Sequence, residues 1–269
     1  MPPLISYLPY PAGSKWAAIA FPLVEFWDQH GFATRFEWGP EGARLLADSS
    51  DVIVVVDVIS STTCITIGCE QGARIYPYRF KDASAADYAK SLGASLAVHR
   101  EGVNDEHPYS LSPGTFLKAK PGESIVLPSP NGATIALAAS AVGKPVLAGC
   151  LRNASAVARA ARALGETITV VAAGERWFMS DDSLRPALED QAGAGAILAP
   201  LEGRSPEADG ALAVFRDARD DMLQRLMNSS SGREVGGRGF TQDVELAAEI
   251  DVSETVPILL DGAFVRAVG

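Results

Sequence analysis

The chain has 269 residues, of which 47% are hydrophobic, and it carries a formal net charge of −10 at pH 7. This length allows one large core or two smaller domains, and the acidic balance disfavours nucleic acids and acidic membranes, which are bound through clustered Lys and Arg. The longest apolar runs fall far short of the roughly 18 residues of a membrane span, and the N-terminus lacks the basic segment of a secretory signal, so we expect a cytoplasmic protein.

The first 50 residues predict a short element at 19–30, a strand at 33–38 and a helix at 40–47. The strongest local pattern follows at 52–56, where five hydrophobic residues without polar alternation are typical of a central strand covered on both faces. Asp57 ends this strand, and ligands gather outside the carboxyl ends of strands in α/β sheets. The polar turn and helix start after it contain Ser60, Ser61, Thr62 and Thr63.

The next part of the chain predicts short elements and one long loop. Its patterns indicate a strand at 74–77, a helix at 83–91 and a strand at 96–99. A charged segment rich in turn-forming residues then extends to Phe116. Loops of this length inside a compact domain are often functional, although a mobile surface excursion is an equally good interpretation.

Two further strand–turn–helix units follow. The second unit has a buried strand at 124–127 and continues into S-P-S-P-N-G-A-T. Asn131 and Gly132 begin its helix, where small polar residues leave backbone N–H groups open to a bound anion. The third unit has a strand at 146–151 and an Ala-rich helix that opens with R-N-A-S.

Several carboxylates follow the next strand, at 167–173, among them Glu175, Glu189 and Asp190. The last two precede an apolar helix at 193–201, and acids at a helix start have a plain structural explanation because they complement the helix dipole. They also lie at the polar edge of the predicted sheet. We therefore favour a metal-binding or catalytic role for one of them.

The C-terminal part predicts a long amphipathic helix at 210–227, a helix at 243–250 and a strand at 256–260. Between the two helices lies a stretch of small residues that contains Arg233 and Arg238. It predicts either an anion site or a flexible turn. No low-complexity linker divides the chain. We predict one compact α/β unit over 1–269, or two closely packed halves that divide near 150–205.

The edge of the predicted sheet combines acids with anion-binding groups. If the sheet is parallel in its centre, the side chains that emerge there are Asp57, Asn131, Arg152, Glu175, Glu189 and Asp190. Acids can hold a divalent cation while Arg and backbone amides hold an anion, which suits metal-assisted phosphoryl hydrolysis. The three His residues are scattered, which favours an all-carboxylate metal site over a zinc site. The three Cys residues form no CxxC pair, which favours buried thiols over disulfides or metal ligands. The sequence has no P-loop, GxGxxG or GxSxG motif.

Taken in order, the motifs resemble the 2-phosphosulfolactate phosphatase family from about Glu37 to Pro257. The matching stretches are V-V-V-D-V-I-S-S-T-T, L-P-S-P-N-G-A-T, L-R-N-A-S-A, A-A-G with E-D-Q-A-G-A-G, and S-S-S-G-R-E with G-F-T-Q-D-V. The resemblance implies a three-layer α/β/α fold with a largely parallel or mixed sheet. It also implies a phosphoric monoester hydrolase that uses Mg²⁺ to release phosphate from 2-phosphosulfolactate, a step toward coenzyme M in organisms that make it.

The resemblance also suggests residue roles. It implies that Asp57, Glu189 and Asp190 are catalytic and that Asp57, with Glu189 or Asp190, holds the magnesium ion. The substrate-binding residues that it implies are Thr62, Thr63, Asn131, Gly132, Arg152 and Asn153. Neither the sequence nor the resemblance decides whether a carboxylate or a metal-bound water is the nucleophile.

One departure from the family bears on the substrate. The family pattern after the first acid is D-V-x-R-[AS]-T-T, whereas this chain has Ser60, which cannot replace the fixed charge of an Arg. Arg100, Arg176 or Arg233 could supply that charge from elsewhere. Besides a sulfolactate-type phosphatase, we therefore consider a phosphatase for another 2-phospho acid and a catalytically silent anion-binding protein. A structural or assembly role and a homo-oligomer also remain compatible with the sequence.

Overall fold

An antiparallel hairpin joins two blocks of parallel strands in one mixed sheet. The computed structural model describes residues 27–177 and 180–267, and within them the main sheet has nine strands. Across the first block lie β1 (Thr34–Trp38), β7 (Ile168–Ala172), β2 (Val52–Val56) and β6 (Val146–Gly149). The hairpin is β10 (Pro257–Leu260) with β11 (Ala263–Arg266), and the second block is β3 (Arg74–Tyr78), β5 (Ser124–Pro128) and β4 (Ser95–Leu96). A separate two-stranded ribbon pairs β8 (Glu175–Arg176) with β9 (Leu184–Arg185).

Helices cover both faces of this sheet. In chain order they are α1 (Gly39–Leu46), α2 (Ser61–Glu70), α3 (Ala83–Leu92), α4 (Pro113–Phe116), α5 (Gly132–Ser140), α6 (Ala154–Leu164), α7 (Leu188–Leu198), α8 (Pro206–Ala218), α9 (Met222–Asn228), α10 (Ser230–Gly237) and α11 (Thr241–Ala248). One hydrophobic core contains residues of α1, α2, α4 and α5, and the other contains residues of α6 to α11. The predicted α/β class and three-layer arrangement are thereby confirmed.

Strand β2 lies in the middle of the first block and is buried along its whole length. Val54 points into the core formed with α6 to α11, and Ile53 points into the core on the opposite face. Each such side chain stabilises the fold by roughly 1.5–3 kcal/mol through burial, which explains why a continuous apolar run is required here. Because β2, β6 and β7 are parallel, the residues that follow them meet at one edge of the sheet.

Some elements differ from those predicted. The acids Glu189 and Asp190 lie inside the first turn of α7, because the helix begins at Leu188 and not near 193. The predicted helix at 210–227 is α8 and α9 with a 3₁₀ turn between them. The small-residue stretch near Arg233 is helical and not a flexible turn, since the Ser229 hydroxyl accepts a hydrogen bond from the Gly232 N–H and so caps α10.

Several other predictions have outcomes in the described residues. The thiols of Cys64, Cys69 and Cys150 are free and buried, as predicted. No helix in the described part of the chain is long and apolar enough to cross a membrane. Residues from Gly31 onward form one compact unit, whereas most of the element predicted at 19–30 lies outside the described residues. The division considered near 150–205 stays a prediction.

Candidate active site

Asp57, directly after β2, lies between the N-termini of two helices. Its Oδ1 accepts a hydrogen bond from the backbone N–H of Ser61, the first residue of α2, at 3.3 Å. Its Oδ2 accepts from the N–H of Gly132, the first residue of α5, at 3.0 Å and from the Ser129 hydroxyl at 3.3 Å. Helix N-termini stabilise negative charge, so the two helices fix the orientation of this carboxylate and favour its ionised form.

Gly132 is required for this close approach. A Cβ atom at position 132 would lie 2.8 Å from Asp57 Oδ2 and 3.1 Å from the Ser61 hydroxyl oxygen. The first of these distances is shorter than real Cβ contacts, so any other residue would displace the carboxylate or the helix. The predicted Asn-Gly turn thus contributes to the site through its backbone N–H and its lack of a side chain.

Three more carboxylates lie near Asp57, and each has different partners. Both oxygens of Asp190 accept backbone hydrogen bonds, Oδ1 from Val58 N–H at 2.7 Å and Oδ2 from Gly174 N–H at 2.8 Å. Asp190 therefore joins the chain after β2 to the chain after β7. Glu189 is buried and hydrogen-bonds to Ser231. Glu175 accepts a hydrogen bond from the Asn131 side-chain amide at 3.2 Å.

The pKa values of all four acids are raised above their usual range. Burial is the largest cause for each of them, and it raises the pKa of Asp57, Glu189 and Asp190 above the usual range. Burial, together with the charges of Asp57, Glu189 and Glu234, raises the pKa of Glu175 from 4.5 to about 7. Such a cluster favours either bound protons or a bound cation, because both relieve the repulsion between the carboxylates.

A cavity of about 370 Å³ opens beside this cluster and has walls of opposite charge. Asn131 and the carboxylates of Asp57, Glu175, Asp182 and Glu234 line its acidic part. Its basic lining residues are Lys81, Arg100, Arg176 and Arg238. Of these, Arg176 lies next to the acidic part, since its Nε donates a hydrogen bond to Asn131 Oδ1 at 3.3 Å. The cavity can therefore hold a small molecule with several negative charges beside a group of carboxylates.

A second cavity of about 200 Å³ adjoins the first. The two cavities share Lys81, Arg100, Leu111 and Arg238 as lining residues. Asp57 and Glu175 line only the first. The shared basic residues thus stand at the junction of the two cavities.

The structure places the predicted site residues Thr62 and Thr63 in the first turn of α2. The Thr62 hydroxyl donates to the Asp57 carbonyl at 2.8 Å, and the Thr63 hydroxyl donates to the Val58 carbonyl at 2.8 Å. Both side chains are buried. They hold the shape of the turn that carries Asp57, whereas the substrate contact predicted for them stays a prediction.

Arg152 and Asn153 are not brought into either cavity, which differs from their predicted place beside the phosphate. Arg152 Nη1 donates to the Leu246 carbonyl at 3.0 Å and pairs with Glu249, so this side chain attaches the turn to α11. The Asn153 amide is fully buried and donates to the Thr255 carbonyl at 2.9 Å. The physical reason is that the C-terminal segment covers this turn.

Several residues of the site had no assigned role in the sequence. Ser129 belongs to a recognisable polar turn, and Glu175 is placed correctly at the sheet edge, but neither could be assigned to Asp57 from spacing. Lys81 carries no local signal, whereas Arg238 belongs to the small-residue stretch considered as an anion site and lines both cavities. Three Arg residues were considered as substitutes for the charge missing at position 60. One of them, Arg100, contacts Ser60, since its Nη2 donates to the Ser60 hydroxyl at 2.8 Å.

The carboxylates of the cavity fit a divalent cation such as Mg²⁺ only if water and the substrate phosphate supply its other ligands. Within 27–177 and 180–267, no three His, Cys, Asp or Glu side chains converge closely enough to hold a metal ion by themselves. Magnesium, however, is commonly bound by one or two carboxylates together with water and substrate phosphate. Asp57 and Glu175 line the cavity and have the negative charge for such a site, while both oxygens of Asp190 are engaged by backbone N–H groups.

These features are those of an α/β enzyme with a cavity at the edge of its central sheet that suits a small anionic substrate. Comparison with protein families agrees: residues 40–262 match the model of the family described as 2-phosphosulpholactate phosphatase. The chain belongs to this family, which makes it a phosphoric monoester hydrolase by membership.

Curated relatives support this assignment. The 2-phosphosulfolactate phosphatase of Methanothermobacter thermautotrophicus is 30% identical over 218 residues, covering 80% of this chain and 89% of the relative. Proteins named probable 2-phosphosulfolactate phosphatase are 32% identical in Deinococcus radiodurans, over 83% of this chain and 94% of the relative, and 33% identical in Thermus thermophilus, over 78% and 88%. The matches cover most of both chains.

Proposed function

We propose that the protein is a magnesium-dependent phosphatase that hydrolyses 2-phosphosulfolactate to sulfolactate and phosphate. The observation that carries the proposal is the place of Asp57, which is held between two helix N-termini and lines a cavity with an acidic and a basic wall. The family to which the chain belongs and the names of its relatives supply the substrate.

The residues of the acidic wall would bind the reacting end of the substrate. Asp57 and Glu175 would hold Mg²⁺, which when bound offsets the negative charge on the phosphoryl oxygens. Glu189, buried behind them, adds negative potential without lining the cavity. This differs from the assignment of Mg²⁺ to Asp57 with Glu189 or Asp190, because Glu175 reaches the cavity and those two side chains do not.

The phosphoryl group also needs hydrogen-bond donors. Asn131 and Arg176 both line the cavity next to Glu175, and their mutual hydrogen bond fixes the guanidinium plane. A guanidinium and an amide aimed at one phosphoryl group stabilise its charge as the ester bond to the C2 oxygen breaks and water adds to phosphorus. These donors replace the phosphate contacts expected from Arg152.

The test is phosphate release from 2-phosphosulfolactate, 2-phospholactate and 2-phosphoglycolate, each with MgCl₂ and with a chelator. We expect release only with Mg²⁺ and fastest from the sulfonated substrate. If the protein prefers another member of the panel, the phosphatase activity stands but the proposed substrate is wrong. This is the alternative that Ser60 raises. No release from any substrate by a protein that unfolds cooperatively would contradict the proposal and favour an anion-binding role.

A further inference from the structure

Arg100 is a basic residue fixed in place by its neighbours at the junction of the two cavities. Its side chain is only 12% exposed, yet it lines both cavities. Its Nε donates to Asp243 Oδ2 at 2.8 Å, and its Nη2 donates to the Ser60 hydroxyl at 2.8 Å. Its guanidinium carbon also lies 5.8 Å from the centre of the Phe240 ring. The hydrogen bonds that position this guanidinium use Nε and Nη2. Among the described residues Nη1 has no hydrogen-bond partner, so it can contact a ligand.

The partners of Arg100 are themselves held in place. Asp243 is buried, and its second oxygen accepts a hydrogen bond from the Ser112 hydroxyl. The Ser60 hydroxyl donates to the Leu111 carbonyl while it accepts from Arg100. A guanidinium held in this way loses little conformational entropy when it binds an anion, which makes Arg100 a better anion site than a mobile surface Arg.

Lys81 adds a second positive charge at the same junction. Its amine forms no ion pair in the described part of the chain, and the residue lines both cavities. Asp243 already offsets the charge of Arg100, so Lys81 adds a further positive charge at the junction, close enough to interact with the charges of Asp57 and Glu175. Arg238 is also shared, but it is paired with Glu101.

We propose that Arg100 and Lys81 bind the anionic group of the substrate that lies farthest from the phosphoryl group, which in 2-phosphosulfolactate is the sulfonate. The inference rests on the proposed function. The acids that would act on the phosphoryl group line only the first cavity, whereas Arg100 and Lys81 stand where the two cavities meet. A substrate with a phosphoryl group on C2 and a sulfonate on C3 therefore matches both groups of lining residues. Ser60 acts as a positioning residue for Arg100.

The test compares two substrates that differ only in the sulfonate, 2-phosphosulfolactate and 2-phospholactate, in wild type and Arg100→Gln. We expect the variant to lower kcat/KM about 10- to 100-fold for the sulfonated substrate, mostly through KM, because a charge-assisted hydrogen bond is lost. Hydrolysis of 2-phospholactate should stay at the wild-type rate. Arg159→Gln, which removes the same charge at an exposed site on α6, should leave both substrates unaffected.

A second variant keeps the proposal testable if Arg100→Gln does not fold. Arg100→Gln leaves Asp243 buried without its cation, whereas Lys81→Gln breaks no ion pair and should show the same selective loss with normal thermal unfolding. Ser60→Ala should raise KM for the sulfonated substrate without changing kcat. An equal loss on both substrates would place Arg100 at the phosphoryl group and overturn the proposal, as would a wild type that does not prefer the sulfonated substrate.

Calorimetric titration with sulfolactate and with lactate separates this inference from the proposed function. If wild type releases no phosphate but binds sulfolactate, and Arg100→Gln does not bind it, the phosphatase assignment fails and the sulfonate site stands. If neither wild type nor variant distinguishes sulfolactate from lactate, the sulfonate site is wrong whatever the enzyme activity is.

Discussion

Replacing Glu175 with Gln should stabilise the protein above neutral pH. The carboxyl group of Glu175 is surrounded by the charges of Asp57, Glu189 and Glu234, and burial is the largest cause of its raised pKa. Gln is nearly isosteric, stays neutral at every pH and can still accept the hydrogen bond from Asn131. The substitution therefore removes repulsion without removing a contact.

The magnitude follows from the pKa. A raised folded-state pKa means that the group favours the folded state when protonated, and this contribution is lost as pH rises from the unfolded value of 4.5 through about 7. The shift corresponds to roughly 3 kcal/mol between the two ends of that window. At pH 8 the wild type bears all of this destabilisation and Glu175→Gln bears none, while at pH 4.5 the two proteins should be close in stability.

Urea unfolding at pH 4.5 and pH 8, with a chelator present, measures the difference. Glu202→Gln, at an exposed position, is the matched control and should change stability little at either pH. Adding MgCl₂ at pH 8 should stabilise wild type more than Glu175→Gln, because the cation needs the carboxylate. A gain of the same size at both pH values, or no gain at pH 8, would refute the argument that burial and neighbouring charges disfavour the ionised form of Glu175.

Three other substitutions test the roles of individual residues. Asp57→Asn should keep the unfolding temperature within a few degrees but lower turnover by at least about 10³-fold, since an amide cannot replace the charge at the reaction centre; phosphate release near the wild-type rate would remove Asp57 from the mechanism. Gly132→Ala should lower kcat about 100-fold by displacing the Asp57 carboxylate, with little change in the far-ultraviolet circular dichroism spectrum. Arg152→Ala should lower the free energy of unfolding by about 1–3 kcal/mol through its lost contacts to α11, with KM unchanged; a raised KM would restore its predicted role at the phosphate.

The position of Asp57 could be predicted because it depends on local sequence. The run at 52–56 has no polar residue, so it can only be a strand covered on both faces, and the residue after it must stand at the sheet edge. Gly132 was predictable for a similar reason, since strand, polar turn and helix follow one another within a few residues. Local order thus locates the two turns that hold the carboxylate.

The contacts of Arg152 and Arg100 could not be predicted, because each depends on a distant segment, although Arg100 was one of three residues considered as a substitute for the charge missing at Ser60. The turn of Arg152 has the same local pattern as the other two, but the N–H of Ser253 donates to the Arg152 carbonyl and the C-terminal segment covers the turn. Arg100 belongs to a charged loop with no regular pattern, and its partner Asp243 is 143 residues away. The local sequence shows which side chains reach the sheet edge, but it does not show what covers them.

Nor could the sequence rank the four acids, and here burial and hydrogen bonding decide. Asp190 shares the first turn of α7 with Glu189, yet its two oxygens are engaged by backbone N–H groups that join two strand ends. Asp57 also accepts three hydrogen bonds, but it remains part of the cavity wall. Neighbouring acids raise the pKa of Asp190 as well, so raised pKa values do not separate these carboxylates. Their place in the cavity wall does, and it favours Asp57 and Glu175 over Asp190 for binding and reaction.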